Sequence, residues 1–246
     1  MDWRSQWGWM RSWVLYRSNP LHRRRLAAFY RSFIGRDSLC FDIGAHMGNR
    51  VDAWRDLGAH VVAVEPQPLF ARALRRRYRD DERVHLEAVA LGERPGRCTL
   101  MISRRTPTVS TLNPAWRQVM AVNPRFRRVR WDATCEVTVL TLDDLIDCYG
   151  VPAFCKLDVE GAEALVLAGL SQPLPTLSME YSPADPQGVR DCIARLGELG
   201  RYQYRRSVGE SLHWSGDWMT PEGALADLGR LTPDQPAGDL YARRVA

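Results

Sequence analysis

The feature that most constrains the fold is an alternation that begins near Ser38. Short apolar segments rich in β-branched residues alternate with amphipathic segments of helical length. This alternation predicts βαβ units joined into a mostly parallel, doubly wound sheet of the α/β class. The predicted strands are 39–43, 60–64, 84–88, 153–158 and 176–180, and the predicted helices are 49–57, 67–79, 160–169 and 186–199. Segments 202–207 and 239–245 are expected to close one edge as an antiparallel pair.

The chain of 246 residues, 45% of them hydrophobic, suits one main domain with a small appendage. Residues 1–36 are rich in Trp and Arg and are predicted to be a helical extension with a break at Pro20. The main domain is predicted over 37–246, with edge strands in 200–246. Segment 103–134 lies between predicted strands 97–102 and 135–140 and is too long for an ordinary loop, so it is expected to be a lid-like cover or else a disordered link.

The net charge of +5 is concentrated in the first 40 residues, where eight Arg and two Asp give +6 and leave −1 for the rest. A nucleic-acid binder would spread its arginines over the binding domain, so nucleic acid is not the expected partner. The N-terminal Trp/Arg stripe suits packing on the domain, on a second copy of the chain, or on a membrane surface. No bilayer-spanning run, secretory signal or CxxC pair is present, which favours a cytoplasmic protein with reduced cysteines.

The segment FDIGAHMGN carries the clearest ligand signal. Asp42 ends the first predicted strand, Gly44 and Gly48 occupy the turn, and a helix opens near Asn49. Glycines let the backbone approach a ligand, and the helix start directs N–H groups towards it. Glu65 ends the second predicted strand, where an acid accepts hydrogen bonds from ribose hydroxyls. The pattern indicates a cofactor that contains adenosine.

A dinucleotide is disfavoured because His46 stands where the dinucleotide fingerprint requires glycine. This counts against a nicotinamide-dependent oxidoreductase. Asp42 at the strand end suits a ligand ammonium, as in the amino-acid part of S-adenosylmethionine.

A second cluster lies in FCKLDVEGAE, which contains the only lysine, Lys156, together with Asp158, Glu160 and Glu163. In a doubly wound sheet this fourth strand lies beside the first at the point where the strand order reverses. Asp158 is therefore expected to face the same ligand as Asp42. Glu163 is interpreted as a helix-capping residue.

The blocks FDIGAHMGN, AVEPQP, LEAVALGE, TLDDL, FCKLDVEGAEALVLAG and MEYSP resemble the FkbM-like methyltransferase family over residues 38–182. The resemblance implies a class I methyltransferase fold, S-adenosylmethionine as donor, and transfer to a hydroxyl of a sugar, polyketide or other natural product. By position it assigns the cofactor to Asp42, Gly44, Ala45, Gly48 and Asn49 for the methionine part, Glu65 and Pro66 for the ribose side, and Glu87 or Ala88 beside the adenine.

A hydroxyl acceptor must lose its proton, and the candidate catalytic residues are predicted at strand ends or turns on the cofactor side. They are Asp158, Glu160, Glu180, Lys156 and His46. Asp158 or Glu160 is expected to be the base or the acceptor anchor, with Lys156 buried nearby or paired with one of them. His46 is alternatively interpreted as a loop residue that shapes the cofactor turn. Ser110 and Thr111 are expected to line the acceptor pocket or simply to form a turn.

Mg²⁺ at the three carboxylates is an open variant, and a metal-free site is preferred because Lys156 or the sulfonium offsets their repulsion. The acceptor is expected to be a small or carrier-bound molecule. Two alternatives stay open. One is a nucleic-acid methyltransferase that uses the Arg-rich segment 104–130 with Trp116 and Trp131. The other is a non-catalytic partner subunit with the same fold, and the sequence does not decide between monomer and homo-oligomer.

Overall fold

The computed structural model describes residues 20–245, and within them it contains ten β-strands and eight α-helices. The strands are β1 Leu39–Ile43, β2 His60–Val64, β3 Val84–Glu87, β4 Ala90–Leu91, β5 Gly96–Ile102, β6 Ala133–Leu140, β7 Phe154–Leu157, β8 Thr176–Tyr181, β9 Tyr202–Arg206 and β10 Gly238–Arg244. The helices are α1 Pro20–Tyr30, α2 Asn49–Asp56, α3 Pro68–Tyr78, α4 Pro114–Val122, α5 Leu142–Tyr149, α6 Glu163–Ala168, α7 Pro186–Leu199 and α8 Pro221–Leu228.

The main sheet has seven strands in the order β3-β2-β1-β7-β8-β10-β9. The strand β1 runs parallel to both β2 and β7, whereas β10 lies antiparallel between β8 and β9. The doubly wound sheet with an antiparallel edge pair is therefore confirmed. The strand order reverses between β1 and β7, and ligands of open α/β sheets bind outside the carboxyl ends of the strands at such a point.

Alternate residues of each central strand face opposite sides of this sheet and build two apolar layers. Phe41 and Leu157 pack in the layer that includes α5, α6 and α7. Cys40 and Phe154 pack in the other layer with Trp54, beneath α1 and α2. Burial on both faces explains why the central strands read as continuous apolar runs.

A second sheet of three strands, in the order β4-β6-β5, stands apart from the main one. The sequence predicted β5 and β6 but not that they pair with each other, from Gly96 opposite Val139 to Ile102 opposite Ala133. Three helices, α4, α5 and α8, were not predicted. The predicted helix 160–169 was wrong at its start, because α6 begins only at Glu163 and residues 159–162 form a turn.

The extension predicted over residues 1–36 is described from residue 20, where α1 buries Leu26 and Tyr30 against the main domain. The tryptophan stripe before it lies outside the described residues. Between residues 20 and 245, every helix is too short or too polar to cross a bilayer.

Candidate active site

A cavity of about 210 Å³ opens at the carboxyl ends of β1, β2, β7 and β8. The small sheet supplies part of its wall through Ala90, Leu91 and Leu100, and the 103–134 insertion covers it with Thr108, Ser110 and Leu112. The other lining residues are Ile43, Gly44, His46, Asn49, Arg50, Val64, Glu65, Pro66, Gln67, Asp158, Val159, Glu160, Ala162 and Glu180. The structure thus brings together eight of the predicted cofactor and catalytic residues with several that were not predicted. The eight are Gly44, His46, Asn49, Glu65, Pro66, Asp158, Glu160 and Glu180.

Residues 44–48, here called the β1 turn, form the tightest part of the site. Gly44 and Gly48 have φ values of 90° and 75°, which favour glycine. A Cβ atom on Gly44 would lie 2.0 Å from the carbonyl oxygen of Asp158. The backbone N–H groups of Gly44 and Ala45 both donate to the carbonyl of Val64, at 2.9 Å. The turn therefore joins three neighbouring strands and leaves the cavity wall free of a side chain at Gly44.

Glu65 fixes the other side of this turn. Its two carboxylate oxygens accept hydrogen bonds from the backbone N–H groups of His46 and Gln67, each at 2.8 Å. Burial raises the pKa of Glu65 to about 7. His46 has a φ of 47° and its ring packs against Phe70, with 4.2 Å between ring centres and the ring planes tilted by 50°. Burial lowers the pKa of His46 to about 4, so the imidazole is neutral at pH 7.

Two buried polar atoms beside the β1 turn lack a hydrogen-bond partner among the described residues. They are Oδ2 of Asp42, a residue 2% exposed, and Nδ2 of Asn49, which lines the cavity. Burial raises the pKa of Asp42 to about 6. Buried polar atoms of this kind are normally satisfied by a partner. Asn49 lines the cavity, so its amide fits the carboxylate of the amino-acid part of S-adenosylmethionine, whereas Asp42 does not line the cavity.

Three carboxylates converge at the ends of β7 and β8. Asp158, Glu160 and Glu180 each offer one oxygen, and these oxygens lie within 4.8 Å of one another. Carboxylates this close raise the pKa of one another, and the spacing also suits a divalent cation with oxygen ligands. The sequence predicted all three residues as candidates.

Asp158 differs from the two glutamates because two cations face it. Nζ of Lys156 lies 3.3 Å and Nη1 of Arg50 lies 3.7 Å from its Oδ2 atom. Burial opposes ionisation, but Lys156 and then Arg50 outweigh it and lower the pKa of Asp158. Asp158 is therefore a charged hydrogen-bond acceptor and a weak base.

Lys156 is fully buried and donates to Asp239 of β10 at 2.7 Å. Burial and the charge of Arg50 oppose its ionisation, but Asp158 and Asp239 outweigh both and raise the pKa of Lys156. The lysine therefore stays charged. It does not line the cavity. Its predicted role as a buried partner of the acids agrees with this geometry.

The two glutamates have the opposite electrostatics. Burial, followed by the charge of Glu180, raises the pKa of Glu160 well above its ordinary value. Burial, followed by the charge of Asp158, does the same to Glu180. Groups of this kind hold or accept a proton near neutral pH.

Several predicted residues have other roles. Glu87 accepts a hydrogen bond from Tyr149 at 2.6 Å, and neither Glu87 nor Ala88 lines the cavity. Ala45 and Gly48 lie in the β1 turn but do not line it either. Ser110 and Thr111 were expected to line the acceptor pocket or simply to form a turn. Ser110 lines the cavity, whereas Thr111 does not, because its hydroxyl donates to the carbonyl of Glu160 and the residue is 1% exposed.

Sequence reasoning missed Arg50, Gln67 and Asp239. Arg50 is two residues beyond the β1 turn, on the first turn of α2, and its position there was the available signal. Asp239 became recognisable only from the register of β10, which places it opposite Glu180.

The glycine turn after the first strand, the acid after the second and the antiparallel strand between the last two define a class I S-adenosylmethionine-dependent methyltransferase. Residues 42–205, more than half of the chain, match the family model described as the methyltransferase FkbM domain. The chain belongs to the FkbM methyltransferase family.

Solved structures with a similar course of the chain have low sequence identity. The O-methyltransferase from Bacillus cereus in complex with SAH is 12% identical, with a TM-score of 0.48 over 99% of this chain and 92% of that one. The precorrin-6y C5,15-methyltransferase from Geobacter metallireducens is 11% identical, with a TM-score of 0.46 over 93% and 92%. The fibrillarin from Aeropyrum pernix with bound S-adenosyl-L-methionine is 13% identical, with a TM-score of 0.43 over 94% and 76%. No curated protein sequence matches the chain.

Proposed function

We propose that the chain is an O-methyltransferase that acts on a hydroxyl of a small or carrier-bound natural product, such as a sugar or a polyketide. The observation that carries the proposal is the pair of glutamates, Glu160 and Glu180, with raised pKa values in the cavity that the β1 turn borders. S-adenosylmethionine, when bound, supplies an electrophilic methyl group. An alcohol needs a proton acceptor beside it, and this pair provides one.

The roles of the residues follow from the electrostatics. Glu160 or Glu180 would accept the hydroxyl proton of the acceptor when its oxygen takes the methyl group that S-adenosylmethionine would supply. Asp158 stays ionised beside Lys156 and orients the acceptor hydroxyl or the ligand ammonium. Alignment of donor and acceptor supplies the larger part of the acceleration, on the order of 7–11 kcal/mol.

Glu65 and the β1 turn hold the donor rather than take part in proton transfer. The carboxylate of Glu65 retains lone pairs for ribose hydroxyls after it accepts the two backbone N–H groups. Asn49, in the cavity wall, takes the amino-acid part, and Asp42 is assigned to the same part on the family resemblance alone. We interpret His46 as a neutral wall of the site, because its ring packs on Phe70 and its backbone is fixed by Glu65.

The test is transfer of labelled methyl from S-adenosylmethionine to a panel of hydroxyl-bearing sugars, polyketides and carrier-bound acyl chains. Glu160→Gln and Glu180→Gln should each lower the rate by about 100-fold or more, the usual contribution of a positioned base. Glu136→Gln is the matched control, because Glu136 is exposed on β6 and bonded to Thr99. Transfer that survives both cavity substitutions would refute the proposal.

Two further arms of the same assay address the alternatives. We expect transfer to persist in the presence of a chelator. A loss that Mg²⁺ restores would instead assign the three carboxylates to a metal. Nucleic acid enters the panel as well, and methyl transfer to it with steep salt dependence would favour the nucleic-acid alternative.

The cellular setting rests on sequence alone. We propose a cytoplasmic protein whose Trp/Arg-rich N-terminal segment packs on the domain or contacts a second copy of the chain or a membrane surface. Sedimentation of the full chain with and without anionic vesicles distinguishes self-association from vesicle binding.

A further inference from the structure

The 103–134 insertion bonds to Gln67 of the cavity wall through Pro107 and Ser110, and it also contacts a second place in the site. This place is the turn of residues 159–162 after β7, here called the β7 turn. It contains Glu160, whose carboxylate lies in the cluster described above. Three residues of the insertion, Thr111, Asn113 and Trp116, make the contacts.

Two of the contacts are hydrogen bonds to consecutive backbone carbonyls. The hydroxyl of Thr111 donates to the carbonyl of Glu160 at 2.7 Å, and Nδ2 of Asn113 donates to the carbonyl of Gly161 at 2.6 Å. The third contact is close packing, since a Cβ atom on Gly161 would lie 2.1 Å from the Trp116 ring. The insertion thereby fixes both peptide units that follow the reactive side chain.

The conformation of the β7 turn needs such support. Glu160 has a φ of 54° and Gly161 has a φ of 83°. Glycine adopts this region freely, whereas a glutamate in it is strained and persists only where its surroundings hold it. Glu163, directly after the turn, adds support by accepting the N–H of Val159 at 2.9 Å.

The three insertion residues are themselves held in place. Thr111 exchanges two backbone hydrogen bonds with Met101 of β5, each at 3.0 Å. Asn113 caps α4 by accepting from the N–H groups of Ala115 and Trp116. Thr111 is 1% and Trp116 is 4% exposed. The support for the β7 turn is therefore built on the rigid edge of the small sheet.

We propose that Thr111, Asn113 and Trp116 are positioning residues that hold Glu160 in its left-handed conformation and thereby place its carboxylate beside Glu180. The inference rests on the proposed function, in which Glu160 belongs to the proton-accepting pair. Thr111 acts through Glu160 and not on the acceptor, because its oxygen donates to Glu160 and accepts from the N–H of Asn113 at 2.9 Å.

The test compares Thr111→Val, which keeps the shape but removes the hydroxyl, with Thr111→Ser, which keeps the hydroxyl. Thr138→Val is the matched control, because Thr138 is exposed on β6. Proteins labelled with ¹³C at the glutamate carboxyl are titrated by NMR, and the Glu160 signal is assigned as the one that Glu160→Gln lacks. The charged neighbours that face Glu160 are Glu180, Asp158, Glu163 and Lys156, and all of them stay in place in the Thr111 variants.

In Thr111→Val the midpoint of the Glu160 titration should move towards the ordinary glutamate value, because the carboxylate leaves its neighbours. Transfer to the acceptor found in the hydroxyl panel should fall by about 100-fold, as expected for a misplaced catalytic group, with affinity for S-adenosylmethionine unchanged. Thr111→Ser and Thr138→Val should match the wild type in all three measurements.

The outcomes separate the two proposals. If Glu160→Gln abolishes transfer but Thr111→Val leaves the titration and the rate unchanged, the positioning role is refuted and the function stands. If Thr111→Val shifts the titration but Glu160→Gln retains full transfer, the turn is held as described and the role of Glu160 as base is refuted. Should Thr111→Val fail to fold, Asn113→Asp, which keeps the helix-capping oxygen but cannot donate to Gly161, gives the same comparison.

Discussion

The β1 turn and the β7 turn follow neighbouring parallel strands and have two structural features in common. Each contains a non-glycine residue in the left-handed region, His46 with φ 47° or Glu160 with φ 54°. Each is held by one buried glutamate that accepts a backbone N–H, Glu65 for His46 and Glu163 for Val159. Burial raises the pKa of both glutamates to about 7.

The two turns differ in where the remaining support comes from. The β1 turn is bonded to the next strand of the same sheet, through the carbonyl of Val64. The β7 turn is bonded to an insertion about fifty residues earlier in the chain, through Thr111 and Asn113. The first turn is thus held within the main sheet, and the second depends on the insertion that covers the cavity.

The largest expected effect comes from Gly44→Ala in the β1 turn. The added Cβ atom would meet the backbone oxygen of Asp158 at 2.0 Å, at a φ that L residues avoid. We expect a loss of about 3 kcal/mol or more in the free energy of unfolding and no binding of S-adenosylmethionine. The control is Gly197→Ala, in the last turn of α7 with open space around it, which should stabilise the protein by at most about 0.5–1 kcal/mol. Equal stability of the two variants in chemical unfolding would contradict the account of the β1 turn.

A smaller effect is expected from Gly161→Ala in the β7 turn, where the obstacle is a side chain. The new methyl group would overlap the Trp116 ring. We expect a loss of about 2 kcal/mol in unfolding free energy, part of which Trp116→Leu restores in the double variant. If the changes in unfolding free energy of the two single variants add up to that of the double variant, Trp116 does not pack against the β7 turn.

The smallest expected effect is on the pH dependence of stability. It tests the raised pKa of the buried glutamate that holds each turn. The folded-state pKa of Glu65 and of Glu163 lies at about 7, above the ordinary value of 4.5, so the folded protein retains protons that the unfolded chain has lost. Stability contributed in this way is full below about pH 4.5 and is lost as pH rises towards 7. Glu65→Gln and Glu163→Gln should each flatten the slope of unfolding free energy against pH by up to about 1.4 kcal/mol per unit. Glu136→Gln, on the surface, should leave the slope unchanged.

The central strands and the β1 turn could be predicted from sequence because their causes are local. The segment HVVAV and the block FDIGAHMGN carry their own hydrophobic pattern and their own glycines. The predicted bounds of β1 and β2 agree with the structure at both ends. Asp158 could be placed near Asp42 because strand order in a doubly wound sheet is restricted.

The β7 turn could not be predicted, because its conformation is fixed by tertiary contacts. The block DVEGAE looks like the start of a helix, and only the contacts of Thr111 and Asn113 with Glu160 and Gly161 explain why α6 begins later. Asp239 was missed for a related reason. Its contact with Lys156 depends on the position of β10 between β8 and β9 in the sheet, and no local sequence pattern predicts that position.

The central claim is that the β1 turn binds the donor while the β7 turn handles the proton. Calorimetric titration of the wild type, Glu65→Gln and Glu160→Gln with S-adenosylmethionine tests it most directly. Loss of a hydrogen bond to a charged group corresponds to about 1.5–3 kcal/mol, so Glu65→Gln should weaken binding by about 10-fold or more. Glu160→Gln should bind S-adenosylmethionine as tightly as the wild type. Equal weakening by both substitutions, or no binding by the wild type, would contradict the division of roles between the two turns.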